Sequence, residues 1–473
     1  MKKLTVWAML AMLVVAGSAL AGPGRIAANA TFDDGGPATT NNDDSCDISV
    51  APAATLLLPY FEVDLDDPTG ETTLFTITNV SNVDQIAHVT LWTDYSFPVI
   101  DFNIYLTGYD VQAINLYDVI ERGIIAPDAG TGTAITPKRG TYSDLNAALN
   151  LTACDRLPGQ LDDAYIVRMQ SAFTEGTVPD LGTLAGCNNV GGEHDNAVGY
   201  VTIDTADLCS TSLPTDPGYF STEIRFDNVL IGDYQQVHSA NNFAQGNPMV
   251  HIRAIPEGGE PGTPAIINFD RTFYSRYQSG GVEDRRQPLP SVFAARWIEG
   301  GASGFETWYK IWREGQTDFA DANSCAEWDN NVTTVAELVR FDEAENAWGD
   351  VPESRVSPPI TTEFTLPETS LTSVSDASIY PQPTNGAIGG WMYFNLDNDG
   401  FDDIASQNWV IVSMRAEGRY SVDFDAAWLA NGCTPEEPTS EVTTGAEIIG
   451  PAVATDPNVN GPANPNWNPD GAV

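Results

Sequence analysis

Between Cys46 and Cys433, apolar side chains recur at every second position in one short run after another. Gly, Pro, Asn or Asp ends each run. A period of two belongs to a pleated strand with one covered face, and it rules out a mainly helical body. In Thr72–Asn79, Phe75 and Ile77 fall on one face, with Thr76 and Thr78 on the other. In Ile86–Trp92, Ala87, Val89 and Leu91 alternate with His88, Thr90 and Trp92. The Asn79–Asp84 segment reads as the turn that joins these two runs into a hairpin. Phe305, Thr307, Tyr309 and Ile311 oppose Glu306, Trp308, Lys310 and Trp312, and Tyr420, Val422 and Phe424 oppose Ser421, Asp423 and Asp425. Further strands are predicted over 54–63, 99–105, 109–116, 197–204, 222–231, 248–255, 292–298, 335–341, 391–396 and 409–415. Many short strands with Gly, Pro and Asn turns predict a mainly β fold of antiparallel sandwich modules.

Helix is confined to one stretch. Leu161, Ala164, Tyr165, Met169, Ala172 and Phe173 follow a helical stripe, and Asp162 and Asp163 suit its first turn. A shorter helix is predicted over Ser143–Asn150. Both fall in 117–196, which reads as a small helical insertion on the β body. The loop Pro256–Pro264 marks the best internal boundary. The domain reading is therefore a β domain over 46–255, then a second β domain, or second half of one large β domain, over 265–433.

The flanks have a different composition. Lys2 and Lys3 precede the apolar run Leu4–Ala16, and Ala19-Leu20-Ala21 has the small-x-small pattern of a cleavage site. Residues 1–21 thus read as an export signal. Residues 22–45 read as a flexible leader, and 434–473 as a disordered or extended Pro/Asn-rich tail. No stretch beyond the signal is long and apolar enough to span a membrane as a helix. The expected location is outside the cytoplasm, extracellular, on the cell surface or in the periplasm.

Charge excludes some partners. The chain carries 65 acidic residues against 21 basic ones, a formal charge of −44. Apart from Lys2 and Lys3, its lysines are Lys138 and Lys310. Such a surface repels nucleic acid and anionic lipid, and attracts cations. Six cysteines stand at Cys46, Cys154, Cys187, Cys209, Cys325 and Cys433. An even count in an exported chain predicts three disulfides, whose pairing the spacing leaves open. Without a C-x-x-C pair, zinc and thiol redox chemistry have no support.

Leu74–Asn82 with Ala87–Leu91 resembles the strands of bacterial surface immunoglobulin-like sandwiches. That resemblance implies a cell-surface adhesive or spacer role. The rest of the chain is similar to secreted bacterial proteins with no characterised function, and no catalytic residue carries over from it.

The sharpest local motif is Asn395-Leu-Asp397-Asn-Asp399-Gly400-Phe401-Asp402-Asp403. Alternate oxygen donors before a glycine turn suit calcium, with Asn395, Asp397, Asp399 and Asp403 as side-chain ligands and the Phe401 carbonyl as a fifth. At the twelfth position Ser406 replaces the bidentate Glu, and the same residues also make a solvated turn unaided. The Asp64–Glu71 loop is a weaker copy. His88, His194, His238 and His251 form no close pair, and there is no G-x-S-x-G elbow or P-loop. Trp308 and Trp312 share a strand face, which is either an aromatic patch for stacking on sugars or ordinary core. These features lead to an exported surface or extracellular matrix-type structural or binding protein, stabilised by calcium. Its partners would be polysaccharide, cell-surface proteins or further copies of itself. The alternative is an extracellular carbohydrate-active or other hydrolase on a β scaffold.

Overall fold

The computed structural model describes residues 48, 50–125, 140–142, 160–179, 186–209, 212–216, 218–254, 272–277, 284–315, 332–335, 337–349, 365–396, 406–416 and 420–429. It is mainly β, and its strands pair antiparallel. A six-stranded sheet runs in the order β10 (Val250–Ile252), β1 (Thr55–Val63), β7 (Ala197–Ala206), β3 (Gln85–Thr93), β4 (Pro98–Leu106) and β6 (Gly140–Tyr142). A four-stranded sheet orders β5 (Val111–Asn115), β2 (Glu71–Asn79), β8 (Leu230–His238) and β9 (Phe243–Pro248). A second four-stranded sheet orders β17 (Thr369–Ser373), β12 (Phe305–Arg313), β19 (Asn408–Ala416) and β20 (Tyr420–Asp425). A five-stranded sheet orders β15 (Ala347–Gly349), β14 (Glu337–Asp342), β18 (Gly389–Asn395), β11 (Val292–Ile298) and β21 (Ala427–Trp428). β13 (Val332–Thr334) and β16 (Thr365–Pro367) form a separate ribbon.

The central layer is the six-stranded sheet, and its strands β1, β7, β3 and β4 are buried almost throughout. β1 touches β2 and β8 of one four-stranded sheet and β12 and β17 of the other. Those two sheets also meet edge to edge, where Asn247 donates to Asp425 and Ser421 to the Ala244 carbonyl. The helix Asp163–Glu175 packs on β7 and β4, with Phe173 edge-on to Phe61 at 5.4 Å. Asp162 caps it by accepting from the Tyr165 N–H at 2.9 Å, and Gly176 ends it in the left-handed conformation at φ 61°. No helix among the described residues is long and apolar enough to cross a membrane.

The predicted hairpin does not form. β2 pairs with β5 and β8, whereas β3 pairs with β4 and β7, so the chain changes sheet between them. Asn79 sets this crossing, because its side-chain amide donates to the carbonyls of Val83 and Thr107. The strand expected over 222–231 is instead a π-helical turn, Tyr219–Glu223, followed by β8 from Leu230. Tyr219 and Phe220 serve the core from that turn, edge-on and tilted against Tyr274. The helix expected over Ser143–Asn150 and the Pro256–Pro264 boundary lie outside the described residues.

One apolar cluster is continuous from Phe61 and Tyr200 to Trp312, Tyr309 and Phe394, across the sequence position of that boundary. Polar clamps reinforce it. Asp204 accepts from Thr55, from the Tyr219 and Tyr274 hydroxyls at 2.7 Å each, and lies 3.1 Å from the Arg286 guanidinium. Arg276 grips Glu368 through two hydrogen bonds of 2.9 and 2.6 Å, while Tyr200 donates to the same carboxylate at 3.1 Å. Buried charges persist only when paired and hydrogen-bonded, and each of these carboxylates is.

Candidate functional site: carboxylates and aromatic rings at the strand ends

Glu71 opens β2 and lies opposite His238, the last residue of β8. His238 in turn lies opposite Phe243, the first residue of β9. This row ends the inner face of its sheet. Arg415, near the end of β19, reaches across to it. Its guanidinium stands 4.9 Å from the Phe243 ring centroid and 5.9 Å from that of Trp308 on β12. Trp308 and Phe243 are both half-buried. The Trp308 indole N–H and the Arg415 Nε have no hydrogen-bond partner among the described residues.

The neighbouring β1 contributes Glu62. Its carboxylate accepts from the Tyr60 hydroxyl at 3.0 Å and from the Asn196 amide at 2.7 Å. Its backbone is pinned to β2, since the Glu62 N–H and carbonyl both bond the Thr73 hydroxyl at 3.1 Å. Burial and then the charge of Glu62 push the Glu71 carboxyl above its ordinary range, opposed by Arg415, His238 and Lys310. Glu71 is thus more inclined to stay protonated than an exposed glutamate is.

A histidine borders the same end. His194 Nε2 lies 3.0 Å from Asp94 Oδ2, and the Gly192 N–H donates to the other oxygen at 2.9 Å. Burial works against a charged His194, but the bond and charge of Asp94 and the charge of Glu62 outweigh it and raise its pKa. The Asp94 carbonyl accepts from the Glu368 N–H at 2.8 Å, which ties this corner to the buried Arg276 clamp.

No family model, no curated protein and no solved structure matches this chain. Hydrogen-bonding carboxylates, an amide and a guanidinium stand beside two aromatic rings. That combination suits a neutral, polyhydroxylated ligand, whose apolar C–H faces stack on rings while its hydroxyls bond the polar groups.

The residues singled out from sequence are dispersed. Trp312 is only 2% exposed and packs on Phe273 and Tyr200, with centroids at 5.6 and 6.0 Å. Trp308 alone of that pair stands at the cluster. Asn395 ends β18, buried, with backbone partners Val292 and Glu337. Asp397, Asp399, Phe401 and Asp403 lie outside the described residues. Among the described residues no group of three or more His, Cys, Asp or Glu is arranged to hold a metal ion. The weaker loop is an Asx turn, since Asp64 accepts from the N–H groups of Asp66 and Asp67 at 3.0 Å. His88 and His251 are buried strand residues, bonded to Asn103 and to the Gly232 N–H. No cysteine among the described residues is free. Cys46, Cys154, Cys325 and Cys433 lie outside the described residues.

Glu62, Asn196 and Arg415 escaped the sequence reading, and Glu71 was read only as the last residue of the weaker loop. They come from strands far apart in the chain, and no local spacing relates them. A half-signal existed in Trp308, which the sequence reading named as one member of an aromatic patch.

Proposed function

We propose that this chain is an exported surface or extracellular matrix-type protein. It would be built of β-sandwich modules stapled by disulfides and stabilised by calcium at 395–403. It would bind polysaccharide at the Glu62, Glu71, Arg415 and Trp308 cluster. The observation that carries this reading is the convergence of two half-buried aromatic rings and an arginine on a carboxylate pair. The acidic charge supports neutral rather than polyanionic glycans.

The test is a glycan-binding screen with purified protein, followed by calorimetry. Trp308→Ala and Arg415→Ala are each expected to weaken a hit about tenfold or more, and Val111→Ala, exposed opposite Thr78 at the other end of β2, to leave it unchanged. Equal binding by all four proteins would overturn the reading. A second reading, a glycoside hydrolase, is favoured by the raised Glu71 carboxyl beside Glu62. If reducing ends are released, Glu71→Gln is expected to abolish release while leaving binding intact. For calcium, identical melting curves with metal and with chelator would remove that element alone.

A further inference from the structure

A groove of about 280 Å³ lies on the opposite, outer face of the β5-β2-β8-β9 sheet. This approaches the lower end of small-ligand sites, roughly 300–1,000 Å³. Local structure explains its walls. After the short helix Leu116–Ile120, Gly123 adopts φ 65°, and the Ile124 N–H bonds back to the Asp118 carbonyl at 2.8 Å. That reversal brings Ile124 and Ile125 beside the sheet, where Leu74 and Ala113 line the same groove.

The polar end is acidic. Asp118 and Asp233 are the charged residues of the lining. Asp118 already has a cation, because Arg122 bonds it at 2.7 Å. Asp233 is exposed and accepts from the Thr76 hydroxyl at 3.0 Å, with no cation partner among the described residues. The groove therefore pairs an aliphatic wall with one uncompensated carboxylate, in a chain whose charge of −44 concentrates cations around it.

We propose that this groove is a binding site for a small aliphatic ammonium compound. Its apolar body lies on Leu74, Ala113 and Ile124, and its ammonium meets Asp233. The site is independent of the Glu71 cluster, which faces the other side of the sheet.

Calorimetry on the full chain in 0.15 M salt would use n-hexylammonium, methylammonium, n-hexanol and hexanoate. Hexylammonium is expected to saturate one site, with methylammonium and hexanol each about tenfold weaker or more, since each lacks one half of the recognition. Asp233→Asn is expected to weaken hexylammonium about tenfold without a change in melting temperature, and Ala113→Trp to block binding by filling the groove. Methylammonium binding as strongly as hexylammonium would show a response to surface charge alone and overturn the proposal. Hexanoate binding equally, hexylammonium failing to saturate, or both variants binding like the parent would overturn it too.

Discussion

Lys310 is fully buried and places its ammonium 2.5 Å from Asp423, which is equally buried. Asp423 also accepts from Ser413 at 2.5 Å and from the Tyr234 hydroxyl at 3.5 Å, and the ammonium lies 5.3 Å from the Tyr234 ring centroid. Burial lowers the Lys310 pKa, and the attraction of Asp423 works against that. Lys310→Met keeps the length of the side chain and removes the charge. Asp423 is then a buried carboxylate held by hydroxyls alone, a loss of about 3–5 kcal/mol. At about 2.1 cal/mol/K per residue, the roughly 270 described residues unfold with an entropy of about 0.6 kcal/mol/K, so the melting temperature should fall by about 5–9 °C. Replacing both partners, Lys310→Met with Asp423→Leu, should recover most of the loss. Scanning calorimetry of the parent, both singles and the double measures each quantity. A fall under 1 °C, or a double variant less stable than Lys310→Met alone, would show that the pair does not hold these sheets together.

Asp342 accepts from the Asn346 and Asn385 side-chain amides and from the N–H groups of Asn346 and Ala344, which hold its pKa down at about 2. Its stabilisation is present above the ordinary carboxylate range and is lost as pH falls through about 2, so Asp342→Asn should flatten acid unfolding between about pH 4 and 2. A Cβ on Gly390 would lie 1.9 Å from the Phe341 carbonyl oxygen, and one on Gly386 would meet nothing within 4 Å. Gly390→Ala should cost about 1–3 kcal/mol in urea unfolding by forcing β18 and β14 apart. Gly386→Ala should cost about 1–2 kcal/mol through its positive φ alone. Raising sodium chloride from about 0.01 to 0.15 M should raise the melting temperature, because screening weakens surface repulsion. A flat or falling response would mean that buried ion pairs dominate the electrostatics.

The strands were legible because alternation reports a covered face directly, and β1, β11, β12 and β19 lie where the pattern put them. Which strands pair was not legible. The Asn79 side chain redirects the chain into another sheet, and no period records a change of partner. Alternation also underreported burial. His88, Thr90 and Trp92 read as an outer face, yet they are 3%, 1% and 2% exposed. The Tyr219 turn packs on His88 and Tyr277 packs on Trp92, so segments distant in sequence cover that second face. The helix itself was legible because its stripe, cap and terminal glycine are local. The candidate cluster was not, because its members sit at the ends of strands that only the assembled sheets bring together.

The same asymmetry bears on charge. Arg286, Lys310, Arg313 and Arg340 are fully buried and Arg276 is 6% exposed at its side chain, so at least five of the 21 basic residues, counted among the described ones, lie inside. Four of them join distant segments: Arg276 to Glu368, Arg286 to Asp204, Lys310 to Asp423 and Arg340 to Glu299. Withdrawing cations into the core leaves the exterior more one-sided than composition implies. Interior ion pairs are screened little by salt, whereas exterior repulsion is screened strongly. The contacts that join the sheets are therefore nearly insensitive to salt, while the exterior repulsion falls as salt rises.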